Sequence, residues 1–354
     1  MAPPSHRRRT TLADVGRAVG VSAKTVSNVV NGSGWVSDEV RTKVLQAIEE
    51  LGYRPNLAAR QLRTGSSGLI SLAVPDLKEP YFAEMAAAIV DEAERRGQRA
   101  LISQTRGDRS REIDAIEGLG LPDLDGIIIS PLALQPQDIR ERRSATPVVT
   151  VGEFGGELYG SGASHVGIDN VAAARAATQH LIDQGCRSIA VVGYQEDQTR
   201  QTSLQRYTGY RQALRAARIS FDEQLVGTVD VFTRAAGSRA VLQILARQSR
   251  FDGLFCFSDS LAFGAVYALS THGLSVPADV RLIGFDNIEE GRFSIPPFDT
   301  VDPSTTVLAT QCLRIIEDRT TTQAIIPSTI VSRVVRPDEP AVILSADPVQ
   351  TASA

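Results

Sequence analysis

The first side chains in the sequence with a recognisable chemistry lie together in residues 23–31. Their hydroxyl, amide and amino groups can hydrogen-bond to base edges in a DNA major groove, and a helix N-terminus at Ser22 favours a phosphate. The side chains predicted to face outward there are Ala23, Lys24, Thr25, Ser27, Asn28 and Asn31. A small helical hairpin with a solvated polar face would show the same pattern, so this segment alone leaves both interpretations open.

Two short helices joined by a glycine turn are predicted to position these groups. The first helix begins at a Thr11-x-x-Asp14 capping box and ends at Gly20, and Ser22 caps the second. Apolar residues recur at helical spacing on the inner faces, at Leu12, Val15, Val19, Val26, Val29 and Val30. The pattern predicts a helix-turn-helix.

A third helix is predicted from Asp38 to a stop at Gly52, and it would close a small core with the first two. The helix-turn-helix domain therefore covers residues 1–54. Residues 57–63 are good helix formers, but the segment is too short to hold a helix alone in water. We expect it to order only when it docks, as part of a hinge and linker over residues 55–68.

Charge is distributed unevenly along the 354 residues, whose formal net charge is −4. Residues 1–63 hold ten Lys and Arg against five Asp and Glu, a net of +5, which leaves −9 for the rest. A basic head on an acidic body is expected if only the head meets a polyanion. Cys186, Cys256 and Cys312 lack metal-ligand spacing, which predicts buried, reduced thiols, and no apolar run approaches the ~20 residues of a membrane span. We therefore expect a cytoplasmic protein.

Strand patterns alternate with helical patterns from Leu69 onward. This alternation is typical of parallel, doubly wound sheets, and a glycine-rich stretch at 152–162 divides it into two similar lobes. The predicted fold class is an all-α helix-turn-helix domain followed by a two-lobe α/β core over residues 69–354. Gly118-x-Gly120 opens no helix, the four histidines have no metal spacing, and no serine sits in a nucleophile elbow. We expect no catalytic residues, metal or cofactor.

The motifs of the first domain resemble those of the lactose-repressor (LacI/GalR) family of bacterial transcriptional regulators. They read Thr11-Leu12-x-Asp14-Val15, Val21-Ser22-x-x-Thr25-Val26-Ser27, Val29-Val30-Asn31-Gly32, Val36-Ser37 and Gly52-Tyr53-x-Pro55-Asn56-x-x-Ala59-Arg60-x-Leu62. Val40 stands where the family usually has Thr, and Trp35 occupies a variable turn. The resemblance implies a homodimer that binds a pseudopalindromic operator in double-stranded DNA.

The resemblance continues through the α/β body. It is carried by Val166-x-Ile168-Asp169-Asn170, His180-Leu181-Ile182-x-x-Gly185, Arg206-x-x-Gly209-Tyr210-x-x-Ala213-Leu214 and Val280-x-Leu282-Ile283-Gly284-Phe285-Asp286-Asn287. It implies the fold of periplasmic sugar-binding proteins, in which the chain crosses between lobes three times, here near Gly167, Asp302 and Val334. Lobe 1 would then cover about 69–166 and 303–333, and lobe 2 about 167–302 and 334–345. The tail lacks the leucine heptads of a tetramerising coiled coil.

By this resemblance, Ala23, Lys24 and Asn28 occupy the family's base-reading positions. Lys can donate to guanine, Asn can pair with adenine, and Ala permits close approach or contact with a thymine methyl; a phosphate contact is the alternative for Lys24. Leu62 matches a side chain that the family wedges into the minor groove, the alternative being a core position in a short helix. The full set of predicted DNA contacts is Thr11, Ser22, Ala23, Lys24, Thr25, Ser27, Asn28, Asn31, Asn56, Ala59 and Leu62.

Ligands of open α/β sheets bind where the ends of the strands meet, which here is a cleft between the two lobes. The residues at the family's effector positions are Tyr81, Phe82, Arg206, Phe232, Asp259 and Asp286. Aromatic faces, one Arg and two carboxylates suit a ligand rich in hydroxyl groups, such as a sugar or derivative. Asp259 could instead cap a helix, and Arg206 and Asp286 could instead form an internal ion pair.

The resemblance therefore implies a repressor that a small sugar-like inducer releases from its operator. Two alternatives stay open. One is a corepressor-dependent regulator that binds a non-sugar ligand, and the other is a solute-binding protein without a regulatory role. A protein of the second kind would lack the helix-turn-helix domain and would carry an export signal.

Overall fold

The computed structural model describes residues 10–53, 66–152, 155–197 and 201–334. The chain divides into two compact units, Met1–Ser67 and Gly68–Ala354. The predicted contacts Asn56, Ala59 and Leu62, most of the hinge segment and the tail lie outside the described residues. Each unit has an apolar core of its own.

Three helices form the first unit: α1 (Leu12–Val19), α2 (Ala23–Asn31) and α3 (Asp38–Glu50). Their ends follow the predicted capping residues. Thr11 Oγ1 accepts from the backbone N–H of Asp14, and the Asp14 carboxylate accepts from the N–H of Thr11 at 3.0 Å. Ser22 Oγ accepts from the N–H of Thr25 at 3.1 Å, and Gly20 ends α1 in the left-handed conformation. The predicted helix-turn-helix is confirmed.

An apolar core closes these three helices on one another. Its buried members are Val15, Val26, Val29, Val44 and Ala47. Gly16 lies where α1 meets the turn, and a Cβ atom there would lie 2.6 Å from the carbonyl oxygen of Val21. A larger residue would push the turn away, so this glycine sets the close approach of α1 to α2.

Six parallel strands form the sheet of the first lobe of the second unit, in the order β11-β5-β4-β3-β1-β2. They are β1 (Leu69–Val74), β2 (Arg99–Gln104), β3 (Gly126–Ile129), β4 (Val148–Val151), β5 (Ser164–Ile168) and β11 (Gln323–Ile326). The helices of this lobe are α4 (Pro80–Arg95), α5 (Arg109–Glu117), α6 (Pro136–Arg140), α7 (Gly155–Leu158) and α12 (Thr305–Asp318). Helices α4 and α12 pack on one face of the sheet, and α5 and α6 pack on the other.

Four parallel strands form the sheet of the second lobe, in the order β7-β6-β8-β9. They are β6 (Ile189–Tyr194), β7 (Val226–Thr228), β8 (Gly253–Cys256) and β9 (Arg281–Ile283). The helices are α8 (Asn170–Asp183), α9 (Gln201–Ala216), α10 (Arg234–Ala246) and α11 (Asp259–Thr271), with short 3₁₀ turns at Tyr159–Ser161, Glu223–Leu225 and Glu289–Phe293. The predicted fold class, two doubly wound lobes of parallel sheet, is confirmed.

The last return of the chain to the second lobe comes earlier than the predicted position near Val334. Strand β12 (Thr329–Val331) pairs antiparallel with β10 (Thr300–Asp302), and β10 is joined to the second lobe through Gly284. Asp299 fixes this return, because its Oδ1 accepts from the N–H groups of Arg333 and Val334. The pairing of two strands so far apart in sequence moves the boundary, and no local pattern announces it.

None of the described helices is long and apolar enough to cross a membrane. Cys186, Cys256 and Cys312 are buried and free, as the sequence predicts. Burial raises the pKa of the Cys186 thiol to about 11, so this group stays a thiol at neutral pH.

Candidate functional sites

The exposed face of α2 carries the polar groups that the sequence places against DNA. Ser22, Ala23 and Lys24 are exposed at the start of the helix, and Thr25 and Asn28 are half-buried one turn along. The buried side of the same helix holds the valines of the core. The helix therefore presents one donor-rich face, which matches what a major groove can accept.

Two of the predicted DNA contacts also hold the helices in shape. Thr11 Oγ1 donates to the Asp14 carboxylate at 2.7 Å while it caps α1. Ser22 Oγ caps α2 and lies 2.9 Å from the hydroxyl of Thr25. Ser27 is half-buried on α2, and Asn31 is its last residue. A substitution at either cap would change helix stability as well as any contact with phosphate.

A cavity of about 290 Å³ lies between the two lobes of the second unit. It is lined by Tyr81, Phe82, Ser130 and Leu132 from the first lobe and by Arg206, Phe232 and Asp286 from the second, among others. Five of the six residues predicted to contact an effector are thus brought together in one cavity. They arrive from the first turn of α4, from α9, and from the segments that follow β7 and β9.

Arg206 is held rigidly at the edge of this cavity. Its Nε donates to Asn170 Oδ1 at 2.8 Å, and its Nη1 donates to the carbonyl oxygen of Phe257. The guanidinium carbon lies 3.5 Å from the centre of the Phe285 ring, and Nη1 lies 3.9 Å from Asp286 Oδ1. The geometry therefore combines the predicted ligand position with the internal ion pair that was its alternative.

Close packing of two helices makes this arrangement of Arg206 possible. Gly209 follows one turn later on α9, and a Cβ atom there would lie 2.2 Å from the carbonyl oxygen of Val171 on α8. Without a side chain at Gly209, α9 approaches α8 closely enough for Arg206 to reach Asn170. A side chain at this glycine would move the guanidinium away from the cavity.

Asp259 does not line the cavity, unlike Asp286, and the prediction for it needs correction. Its side chain is fully buried, with Oδ1 accepting from Thr300 Oγ1 at 2.7 Å and Oδ2 accepting from the N–H of Ile288 at 3.0 Å. The alternative that Asp259 caps α11 also fails, because the cap is Ser258. Burial raises the pKa of Asp259 to about 7, and the hydrogen bond from Thr300 lowers it by a smaller amount. The carboxyl joins the segment that follows Asp286, at Ile288, to Thr300 of β10.

Sequence reasoning missed an acidic wall of the cavity, formed by Asp76, Glu79 and Asp230. Asp76 and Asp230 come just after β1 and β7, so the strand-end rule that selected Asp286 could have found them. Glu79 gives no such signal, because it acts across the lobes. Its Oε1 accepts from Ser260 Oγ at 2.7 Å, and burial raises its pKa.

A second contact between the lobes lies near Glu79. Glu84 Oε1 on α4 accepts from the backbone N–H of Glu289 in the second lobe at 2.7 Å. Burial raises the pKa of Glu84, and the carboxylates of Glu290 and Glu289 raise it further. Both carboxylates depend on the present separation of the lobes, so a change in that separation would break both contacts.

A buried acid also shapes the cavity wall from behind. Glu112 on α5 accepts from the backbone N–H groups of Leu132, Ala133 and Leu134 at 2.8–2.9 Å. Burial raises the pKa of Glu112, while these three hydrogen bonds oppose the shift. Because Leu132 lines the cavity, Glu112 positions part of the wall without reaching the cavity itself.

No group of three or more His, Cys, Asp or Glu residues that could hold a metal ion occurs in the part of the chain that the structure describes.

Comparison with known families places both units. Residues 11–56 match the family described as bacterial regulatory proteins, lacI family. Residues 178–337 match the periplasmic binding protein-like domain. The two matches fall on the helix-turn-helix and on the second half of the α/β core, respectively.

Individual relatives extend over most of the chain. The transcriptional regulator CelR of Thermobifida fusca is 33% identical over 337 residues, which are 92% of this chain and 96% of that protein. The ribose operon repressor of Halalkalibacterium halodurans is 32% identical over 83% of this chain and 85% of its own length. A solved structure of a CelR–cellobiose complex has a TM-score of 0.64 and 29% identity, and covers 92% of this chain and 99% of that one. With a helix-turn-helix before a cleft-bearing core, the chain belongs to the lacI family of bacterial regulatory proteins and is a DNA-binding transcriptional regulator.

Proposed function

We propose that this protein is a repressor whose affinity for a pseudopalindromic operator is controlled by a small, uncharged, sugar-like metabolite. The observation that carries the proposal is the cavity between the lobes, which combines aromatic rings with hydrogen-bonding carboxylates from both sides. A ligand in such a cavity contacts both lobes at once, so it favours one separation of the lobes over others. The alternative of a solute-binding protein without a regulatory role is set aside, because the chain is a member of a regulatory family.

The composition of the cavity wall supports an uncharged ligand. Tyr81, Phe82 and Phe232 offer ring faces that can pack against the apolar face of a sugar. The carboxylates of Asp76, Glu79, Asp230 and Asp286 can accept hydrogen bonds from hydroxyl groups. Among the described residues that line the cavity, Arg206 supplies the one guanidinium that stands against these four acids. A phosphate ester would meet net repulsion, so phosphorylated sugars are poor candidates.

The size of the cavity narrows the ligand further. A volume of about 290 Å³ lies at the lower end of the roughly 300–1,000 Å³ of small-molecule sites, which favours a ligand no larger than a mono- or disaccharide. The CelR structure, solved with cellobiose, makes that disaccharide a reasonable first compound to test. We expect an inducer that releases the repressor, and a corepressor that promotes binding is the alternative.

Assembly as a homodimer is part of the proposal. One helix-turn-helix reads one half-site, so a pseudopalindrome requires two copies about one helical turn (~34 Å) or a multiple apart. Exposed apolar side chains on the second lobe support a contact between copies: Phe293 is 76% exposed and Ile295 is 94% exposed. A monomer that binds half-sites and full sites equally, seen by sedimentation, would remove this part of the proposal.

We further propose that Lys24 and Asn28 read bases, that Ala23 permits close approach, and that Thr11, Ser22, Thr25, Ser27 and Asn31 contact the backbone or flank these bases. Asn56, Ala59 and Leu62 remain the proposed minor-groove contacts. The protein is expected to act by binding alone, in the cytoplasm, because its relatives are DNA-binding regulators.

Thermal-shift screening of neutral mono- and disaccharides, each beside its phosphate ester, tests the ligand. We expect an uncharged sugar to raise the unfolding temperature and its phosphate ester to do so less. Asp286→Asn should weaken binding of this sugar by about tenfold, because Asn keeps an acceptor oxygen but loses the charge that raises a hydrogen bond from about 0.5–1.5 to about 1.5–3 kcal/mol. Asn also tolerates the backbone φ of 106° at this position. A phosphate ester that bound more tightly than its parent sugar, or an unaffected Asp286→Asn protein, would refute the assignment.

A further inference from the structure

Trp35 is the only tryptophan in the chain, and 91% of its surface is exposed. It belongs to the first unit, whose apolar core is closed by the valines of α1, α2 and α3 without it. Its neighbour Val36 does pack against that core. The fold of this unit therefore gives no structural reason for a large indole at position 35.

The turn that carries Trp35 is built onto the end of the DNA-reading helix. Gly32 and Gly34 adopt left-handed conformations, and the N–H of Ser33 donates to the carbonyl oxygen of Asn28 at 3.0 Å. A Cβ atom at Gly34 would lie 2.9 Å from Nδ2 of Asn28. The residue next to Trp35 is thus in contact with one of the side chains proposed to read a base. Position 35 in the backbone therefore directly follows a residue that adjoins the DNA-binding face, and its indole is exposed to solvent.

The chemistry of an indole fits the wall of a DNA groove. Its ring can cover the apolar face of a deoxyribose, and its single N–H can donate to a phosphate oxygen. A contact with another protein chain fits less well, because interface cores gather several apolar side chains, and the residues before Trp35 in this turn are Gly32, Ser33 and Gly34. The occupant expected here is therefore the sugar-phosphate backbone.

We propose that Trp35 is a DNA-backbone contact of the first unit, beside the groove that α2 enters. Contacts of this kind position a protein on the duplex and carry no sequence information directly. Loss of Trp35 must then weaken all duplexes alike. Loss of Asn28, in contrast, should relax the preference for particular base pairs.

The uniqueness of Trp35 makes the contact directly measurable in the full-length protein. Binding to a fluorescein-labelled random-sequence duplex is followed by anisotropy at low salt, and quenching of the tryptophan emission by iodide is measured with and without unlabelled duplex. We expect strong iodide quenching of the free protein and several-fold less quenching once the duplex is bound. Protection of this one side chain reports on its own surroundings only.

Three variants complete the test. Trp35→Ala should weaken random and selected duplexes equally, by about three- to tenfold, as expected for one lost hydrogen bond with its apolar contact. Trp35→Phe keeps a ring but loses the N–H donor. Its affinity for DNA should therefore lie between that of the wild type and that of Trp35→Ala. Leu45→Ala is the matched control, because Leu45 is an exposed apolar residue on α3. It should bind like the wild type.

Several outcomes would overturn the proposal. One is equal iodide quenching with and without bound duplex, and another is an indole that is already shielded in the free protein, which would indicate a protein contact instead. A third is wild-type affinity in both Trp35 variants, each shown to be folded by circular dichroism. A wild-type protein that bound no duplex at all would overturn the DNA-binding function and this contact with it.

Discussion

The DNA-reading helix and the ligand cleft are built in opposite ways. The helix collects its functional side chains from one stretch of nine residues, Ala23–Asn31, and turns them outward into solvent. The cleft collects its side chains from segments that run from Pro75 to Leu308 and turns them inward. Local periodicity therefore specifies the first site, whereas the topology of two sheets specifies the second.

The electrostatic environments of the two sites differ in the same way. Lys24 is exposed, so its charge remains solvated until DNA arrives. Arg206 and Asp286 are buried, and Glu79 has a pKa that burial raises. Burial of charged groups in the cleft costs free energy because they lose contact with water. Hydrogen bonds from the hydroxyl groups of a ligand can offset this cost. We therefore expect a bound ligand to raise the stability of the α/β core.

The largest effect on the free energy of unfolding should come from Asp259, the buried acid of the second lobe. Asp259→Ala leaves the hydroxyl of Thr300 and the N–H of Ile288 buried without their acceptor, which should lower the free energy of unfolding by about 3–4 kcal/mol. Asp286→Asn, at the cavity surface, should change it by less than about 1 kcal/mol. Urea denaturation of both variants checks the pair. A similar loss for both would show that the two acids do not differ as the structure indicates.

The sequence predicts more of the DNA-binding unit than of the cleft, and these two acids show why. The capping box at Thr11 and the caps at Gly20 and Ser22 act within a few residues, so they predict the observed helices. Asp259 and Asp286 both follow strands of the second lobe, and the same local rule selects both. Only the packing of Asp259 against Thr300, a residue distant in sequence, separates a buried acid from a residue that lines the cavity.

The lobe boundary and the contacts between the lobes likewise depend on segments that are distant in sequence. Strand β12 pairs with β10, so the chain returns to the second lobe before Val334. Glu79 reaches Ser260 across the cleft, and no spacing in the sequence links these two positions. Features that depend on two distant segments are fixed by tertiary packing, which a single sequence does not display.

A smaller effect is expected for base reading by α2. Asn28→Ala should cost about 1–3 kcal/mol at one base pair and relax the preference there, because the amide loses its paired hydrogen bonds with the base. Operators selected from random duplexes by the wild type and by the variant provide the measurement. Lys24→Ala, assayed in parallel, separates base reading from a phosphate contact. Equal weakening of specific and random DNA by Asn28→Ala would contradict the assignment.

A smaller effect is expected from the titration of the buried Asp259, which should make the free energy of unfolding depend on pH. Burial raises the pKa of Asp259 to about 7 in the folded chain, whereas its ordinary value is 3.8. The folded state then binds the proton more tightly than the unfolded state, so this group's contribution to stability is full below about pH 4 and is lost as the pH rises through about 7. Asp259→Asn should flatten the curve of unfolding free energy over this window. An unchanged slope would show that Asp259 does not titrate there.

Control of DNA binding by the cleft can be tested by two titrations on one protein. Operator affinity is measured with and without a saturating amount of the neutral sugar that gives the largest thermal shift, and sugar affinity is measured with and without saturating operator. If the two sites are coupled, both affinities change by the same factor, typically about 5- to 150-fold, and Asp286→Asn loses the response at the same sugar concentration. Operator and sugar affinities that are each independent of the other ligand would contradict regulation through this cleft.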